Sequence, residues 1–93
     1  MSVIRCVEIS DGAPGMVYME MRTLVEIAMG SKALGILIMH NHPSGNVKPS
    51  KADLEFTEEC KRVLEMIDVK LIDHIIVGNG KYLSMKNEKM ILE

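Results

Sequence analysis

The feature that most constrains the fold is a pair of apolar runs separated by an amphipathic helical pattern. The runs are residues 33–39, ALGILIM, and residues 69–78, VKLIDHIIVG. Strands of this composition are typical of a sheet covered on both faces. Between the runs, five apolar side chains share one helical stripe. They are Phe56, Cys60, Val63, Leu64 and Ile67. The pattern predicts a sheet with at least one helix, over residues 51–67, packed against it.

The remaining segments complete one domain. SVIRCVEIS, near the N-terminus, alternates as a strand does, and DGAPG interrupts it. Residues 16–19, MVYM, are a candidate short strand. Apolar residues at helical spacing predict a helix from Glu20, with Gly30 as its C-terminal cap. Asn79 and Gly80 mark a tight hairpin into KYLSM. We therefore predict an α/β fold, a mixed β-sheet flanked by helices, in a single domain over residues 1–93.

Composition narrows the classes of function. The 93 residues suffice for one domain with a modest core. The net charge is −2 and the eleven Lys and Arg are scattered, so direct DNA binding by this chain is not expected. No apolar run is long enough to cross a bilayer and no signal peptide is visible, which predicts a cytoplasmic protein without membrane contact. Cys6 and Cys60 are expected to be buried free thiols.

A histidine pair follows the first apolar run. His40 and His42 are separated by one residue, so a continuing strand would point both rings the same way. Asp53 lies in the first turn of the next helix, where the helix N-terminus favours a carboxylate. Singly, each residue has a structural explanation, and Ser50 with Asp53 resembles a helix-capping box. The joint spacing, His-x-His, seven residues, Ser-x-x-Asp, favours a divalent metal site.

Two histidines and one carboxylate leave one open position on a tetrahedral zinc ion, which is the layout of catalytic zinc sites. Zn²⁺ is therefore the expected cofactor. Water at the open position would have a pKa of roughly 7, and hydrolysis would need a general base. Glu8 is the candidate, because it shares a strand face with Ile4 and Cys6, where partial desolvation would favour its protonated form. The alternative is a solvated glutamate on an edge strand.

The stretch HNHPSGNVKPSKAD resembles the JAMM (MPN-type) metalloprotease motif, and GILIMHNHPSGNVKPSKAD with LIDHIIVGNGKYLSM resembles the RadC family, long labelled bacterial DNA repair proteins. The similarity covers about residues 3–85. It implies the JAMM/MPN architecture, which is cytidine-deaminase-like. It also implies zinc ligation by His40, His42 and Asp53. In this resemblance Ser50 contacts the metal-bound water and steadies the tetrahedral intermediate, and Glu8 falls on the family's acidic residue, the glutamate that activates that water.

The first third of the chain departs from the family pattern. EISDGAPG keeps the glutamate and little else of the usual segment, and the His-Pro pair that often precedes the first helix is replaced. An upstream helix-hairpin-helix-like region and one earlier strand, present in full-length members, are missing. We therefore expect an N-terminally truncated domain in which the SVIRCVEIS edge is exposed. A homodimer paired at that edge, or through the methionine-rich helix, is a candidate assembly.

Two functions stay open at this point. The first is a zinc-dependent metallohydrolase, a metallopeptidase or isopeptidase acting on a peptide or protein. The second is a DNA-repair-associated domain that keeps the metal site but is non-catalytic or acts only with a partner. A zinc deaminase is set aside because Cys6 and Cys60 cannot supply its Pro-Cys-x-x-Cys motif. Asp73 and His74 are predicted to point to opposite faces of their strand. Structural hydrogen bonding is favoured for both over contact with a zinc-bound histidine.

Overall fold

The computed structural model describes residues 3–10 and 19–91. Four strands and two helices follow one another as β1 (Ile4–Ser10), α1 (Met21–Gly30), β2 (Gly35–Asn41), α2 (Lys51–Glu65), β3 (Lys70–Gly78) and β4 (Lys81–Ser84). The α/β fold with a mixed sheet and packed helices is confirmed. The short strand expected at residues 16–19 lies outside the described residues except for Met19, which belongs to no helix or strand.

The sheet has the strand order β1-β2-β3-β4. The first three strands are parallel, and β4 pairs with β3 in the antiparallel sense. The β3–β4 connection is the predicted hairpin, in which Asn79 and Gly80 have φ values of 49° and 76°. Two positive φ angles in succession are the requirement of a type I′ turn. Because β2 lies between β1 and β3, the strand that carries His40 is an interior strand, as predicted.

Both helices pack on one face of the sheet. Leu24 and Ala28 of α1, with Phe56 of α2, are buried in the same apolar cluster as Ile36 and Ile38 of β2. Right-handed crossovers between parallel strands added in one direction place every crossover helix on the same side. This topology is the reason that only one sheet face is fully covered within the described residues.

On the sheet face opposite the two helices, the structure differs from two expectations. Leu37 and Met39 of β2 are half-buried rather than fully covered, because no described helix packs on their side. Cys6 lies on this face and is exposed, so only Cys60 is a buried thiol. Ile4 is 59% exposed on the same face. The alternation of β1 was predicted correctly, but alternation alone does not tell which face a helix covers.

The helix ends also differ from the prediction. Gly30 is the last residue of α1, and Ser31 is its C-cap. The residue with positive φ is Lys32, at 55°, and the Ala33 N–H donates to the Ala28 carbonyl. The left-handed closing residue that was expected to be glycine is thus a lysine. The second helix ends at Glu65, two residues before the predicted position.

Strand β1 lies at the edge of the sheet, where its one partner among the described strands is β2. A homodimer formed at this edge stays a prediction. Among the described residues, no helix is long and apolar enough to span a membrane.

Candidate metal centre

The end of β2 places the two histidines. His40 is completely buried on the helix-covered face that it shares with Ile36 and Ile38. His42 follows the strand by one residue, and its N–H donates to the Val77 carbonyl at 2.9 Å, which extends the pairing with β3. The two imidazole rings stand edge to face, with 4.5 Å between their centroids. The i, i+2 spacing therefore brings both rings to one point.

The start of α2 places the carboxylate. Ser50 is the N-cap, and its hydroxyl accepts from the Asp53 N–H at 3.0 Å. In return, Oδ2 of Asp53 accepts from the Ser50 N–H at 2.8 Å. This reciprocal capping box holds the Asp53 side chain in a fixed rotamer at the positive end of the helix. The capping interpretation made from the sequence is correct, and it is compatible with a second role for the carboxylate.

The three side chains meet around one point. Oδ1 of Asp53 is 3.6 Å from Nδ1 of His40, and Oδ2 is 3.4 Å from Nε2 of His42. Ligand atoms bound to one tetrahedral zinc at its usual bond lengths stand roughly 3.3–3.6 Å apart. One ligand atom from each residue lies within 4.8 Å of the others, and all three residues are buried. The three residues could therefore hold a metal ion.

The donor chemistry at His42 also fits a metal. Its Nδ1 is 2.8 Å from the Asn46 carbonyl oxygen. A carbonyl oxygen only accepts, so Nδ1 carries the proton in the neutral ring. The lone pair of His42 is therefore on Nε2, the nitrogen that faces Asp53. A neutral imidazole fixed in this way by a backbone carbonyl is the usual form of a histidine ligand.

A third histidine lies behind the group. His74 of β3 is completely buried, with Nε2 at 3.3 Å from Nδ1 of His40 and Nδ1 at 2.6 Å from the Thr57 hydroxyl. Burial first, and the neighbouring His40 second, lower the pKa of His74 from its ordinary 6.5 to about 4. His74 therefore contacts a candidate ligand, in addition to making the hydrogen bonds that were predicted.

Asp73 behaves as predicted. Its side chain lies on the other face of β3, where its carboxylate accepts from the Ser84 hydroxyl and, at 2.9 Å, from the Lys86 N–H. These bonds anchor the end of β4. The role of Asp73 is thus structural, whereas its neighbour His74 reaches the site.

Two glycines to which the sequence analysis gave no role at the site let the histidine loop approach β3. A Cβ atom at Gly78 would lie 2.8 Å from the His42 carbonyl oxygen and 3.0 Å from Cα of Gly45. Gly45 itself has φ +82°, and a Cβ there would lie 2.9 Å from Cβ of Asn79. Gly78 is the last residue of VKLIDHIIVG, but only the folded loop shows why a side chain is excluded there.

The two residues predicted to assist catalysis lie in different places. Ser50 is exposed beside the carboxylate that it caps, and its hydroxyl accepts from the backbone, so the hydroxyl proton remains available for donation. Glu8 is paired with Met39, one step from the pair formed by Ile9 and His40. Its exposed side chain therefore lies on the sheet face opposite His40, where it borders an open groove of about 560 Å³. The structure brings together the three predicted ligands and Ser50, and leaves Glu8 apart and without the expected desolvation.

The fold and this group define a small α/β domain with a candidate two-histidine, one-aspartate metal site at the carboxyl end of its central strand. Comparison with known families gives the same class: the RadC-like JAB domain model matches residues 1–90. The chain belongs to the RadC-like JAB domain family.

Three relatives illustrate the similarity, and each is named a UPF0758 protein. The one from Bordetella avium is 37% identical over 91 residues, covering 98% of this chain and 40% of that protein. The one from Lactococcus lactis is 45% identical over 69 residues, covering 74% and 30%. The one from Carboxydothermus hydrogenoformans is 50% identical over 58 residues, covering 62% and 26%. The chain thus spans about a quarter to two fifths of the length of these relatives.

Proposed function

We propose that this domain binds one zinc ion through His40, His42 and Asp53 and hydrolyses a peptide or isopeptide bond. The observation that carries the proposal is that one possible ligand atom from each of the three buried residues lies within 4.8 Å of the other two. Two neutral imidazoles and one carboxylate give a bound divalent zinc a net charge of +1. They also leave a coordination position open, as catalytic zinc sites do.

Bound zinc would supply Lewis acidity, which lowers the pKa of a water molecule in its open position to roughly 7. The chain's own residues would hold the cation and stabilise the charge that develops on the substrate. Asp53 and the two histidines hold the cation, and the buried setting of all three strengthens their electrostatic effect. Ser50, at the helix N-terminus, is placed to donate its hydroxyl proton toward negative charge that develops on the substrate carbonyl.

Glu8 is proposed as the group that accepts a proton from the attacking water and passes it to the leaving amine. This assignment rests on the place of Glu8 in the family motif. The exposed position of the side chain, on the face opposite His40, does not add support to it. A general base must come within hydrogen-bond reach of the proton that it removes.

The exposed position of Glu8, on the face opposite His40, favours a second candidate function. A domain with an intact ligand group and a distant Glu8 would bind metal without catalysing hydrolysis by itself. It could serve as a non-catalytic or partner-dependent part of a longer protein, consistent with the family's DNA repair label. The net charge of −2 and the scattered basic residues disfavour direct DNA contact by this chain.

The zinc content of the purified protein tests whether His40, His42 and Asp53 bind a metal. Wild type and His42→Ala are purified with zinc and analysed by elemental analysis, with Asn41→Ala as the matched control. Asn41 lies between the two histidines but is exposed. We expect one zinc per chain in wild type and Asn41→Ala, and none in His42→Ala. Equal zinc in all three proteins would refute every form of the proposal.

Activity then separates the two candidates. The zinc-loaded protein is tested on fluorogenic peptides and on isopeptide-linked peptides, with and without chelator. Glu8→Gln should retain zinc and lose turnover by roughly 10²–10⁴-fold, the usual contribution of a general base. The control is Glu26→Gln, an exposed glutamate on α1. Chelator-sensitive activity that is unchanged in Glu8→Gln would remove Glu8 from the mechanism. Zinc binding without any activity would favour the non-catalytic function.

A further inference from the structure

Strand β1 presents an open edge of the sheet. It is seven residues long, and its one partner among the described strands is β2. It contains no proline and no lysine, and its pairing with β2 is regular over its whole length. Natural proteins usually protect an edge strand by making it short or by placing proline, lysine or a bulge in it. The strand β1 has none of these four protections.

The opposite edge of the sheet is different. Strand β4 has four residues, carries Lys81 and is joined to β3 by the two-residue hairpin. A short edge strand with a lysine is a poor template for another strand. Of the two edges of the described sheet, the β1 edge is therefore the one suited to pair with a further strand.

The backbone of β1 determines which residues can form that pairing. The Val3 carbonyl accepts from the Leu34 N–H at 2.8 Å, so it points toward β2. The direction of the backbone groups alternates along a strand, so odd-numbered residues face β2 and even-numbered residues face the open edge. Four residues of β1 thus direct their N–H and C=O groups away from the sheet. They are Ile4, Cys6, Glu8 and Ser10.

We propose that β1 pairs in the antiparallel sense with β1 of a second copy of this chain, across a two-fold axis at Val7. This register uses all seven residues of the strand. The four outward-facing residues of each copy would form hydrogen-bonded pairs, and each such pair exchanges two bonds, which gives roughly eight backbone hydrogen bonds. The register is defined by three cross-strand pairs. They are Ile4 with Ser10, Arg5 with Ile9, and Cys6 with Glu8.

The charged residues favour this register over its neighbours. Because only outward-facing residues can form the hydrogen-bonded pairs, the two strands can slide only in steps of two residues. A slide in one direction sets Glu8 opposite Glu8 of the second copy, and like charges directly opposite one another are unfavourable. A slide in the other direction sets Cys6 opposite Cys6 and leaves the last two residues of each strand unpaired. In the proposed register, both charged residues, Arg5 and Glu8, face uncharged ones.

A second copy is the partner that this edge favours, because pairing the edge with itself satisfies both copies at once and closes the assembly. The interface is small, since stable interfaces bury about 800 Å² per partner, more than the edge of a seven-residue strand provides. We therefore expect a weak dimer whose population depends on protein concentration. The inference is independent of the proposed metal site, because none of the three candidate ligands lies in β1.

Sedimentation equilibrium of the whole chain, at protein concentrations up to about 1 mM, tests the association. A dimer with a dissociation constant of about 1 mM would still be well populated at the highest concentration. Cys6→Lys would place an ammonium group opposite Glu8 of the second copy, and Cys6→Glu would place a carboxylate there. Since each dimer contains two such pairs, it should be about 2- to 30-fold tighter in Cys6→Lys and weaker by a similar factor in Cys6→Glu.

Tyr82→Lys and Tyr82→Glu are the matched controls. They introduce the same charges as the Cys6 variants, but Tyr82 lies on β4, at the opposite edge of the sheet. Neither control should change the dissociation constant. Because Cys6 is exposed and Tyr82 is 71% exposed, all four variants should fold, which circular dichroism checks.

A disulfide between copies reports the register directly. When a Cys6→Ser and Glu8→Cys double variant is mixed with wild type, only mixed dimers bring the new thiol opposite Cys6. Opposed residues of a hydrogen-bonded pair have Cα atoms about 5.5 Å apart, within the range for a disulfide. Mild oxidation should therefore join one variant chain to one wild-type chain, as measured by mass spectrometry. Cys60 is buried and should not react.

The outcomes are distinct. Monomer alone at every concentration would overturn the inference. A dimer that both Cys6 variants weaken would overturn the register, because Cys6 would then oppose Cys6. A dimer that neither Cys6 variant affects would place the interface elsewhere and refute the pairing of β1. Changes of the expected sign, together with the mixed disulfide, would establish the antiparallel pairing whether or not the protein binds zinc.

Discussion

Gly78→Ala is the substitution whose effect can be worked most directly from the structure. The new Cβ would lie 2.8 Å from the His42 carbonyl oxygen, and ordinary contact begins at 3.4 Å, so this oxygen must retreat by about 0.6 Å. Both nearby groups are backbone, at His42 and Gly45, and cannot move aside as a flexible side chain could. Overpacking of this kind costs about 1–3 kcal/mol in the free energy of unfolding.

The same displacement should reach the metal site. His42 is held by its N–H bond to the Val77 carbonyl, directly beside Gly78. Because His42 is a proposed ligand, a shift of its backbone should weaken zinc binding by about tenfold or more, the lower end of the effect of disturbing the support of a ligating histidine. The assays are urea unfolding of the metal-free protein and a zinc competition titration.

Gly30→Ala is the matched control. A Cβ at Gly30 meets nothing within 4 Å, and the residue is helical, so this variant should be about 0.5–1 kcal/mol more stable than wild type. Its zinc affinity should not change. Gly78→Ala with wild-type stability and wild-type zinc affinity would refute the close-approach argument.

Three further outcomes are expected. Ser50→Ala removes the cap that accepts from the Asp53 N–H, which should cost about 1 kcal/mol in the free energy of unfolding measured in urea. Alkylation followed by mass spectrometry should modify exposed Cys6 first, because burial raises the pKa of the Cys60 thiol to about 12; equal rates would contradict this. Metal-free protein should lose stability as pH falls from about 6.5 to about 4, because the unfolded state protonates His74 in this window and the folded state does not. The loss should be on the order of 3 kcal/mol and be much smaller in His74→Phe, as followed by urea unfolding at each pH.

The close approach of His40, His42 and Asp53 could be predicted from the sequence because each of its parts is local. The spacing of His40 and His42 needs only a strand that continues through Asn41, and β2 does end at that residue. The box between Ser50 and Asp53 needs only a helix that begins at Lys51. Local geometry fixed both halves, and the parallel sheet brought them together.

The contribution of His74 could not be predicted in the same way. Its contact with His40 depends on the pairing of β2 with β3, and that pairing is shifted between Ile36 and Leu37. Without the shift, the alternation would place Asp73 opposite Ile38 instead. Similarly, alternation grouped Glu8 with Ile4 and Cys6, but the covered face was decided by the crossover helices.

The two faces of β3 give the neighbouring residues Asp73 and His74 different structural roles. On the open face, Asp73 binds the Ser84 hydroxyl and the Lys86 N–H, and so fixes the chain on either side of Met85. Met85 in turn donates its N–H to the His74 carbonyl at 3.1 Å and packs, fully buried, against Thr57. The anchor on one face therefore supports Met85, which contacts His74 and Thr57 on the other. Asp73 also accepts from the His74 N–H at 2.7 Å, so we expect its substitution to affect metal binding through His74 and Met85.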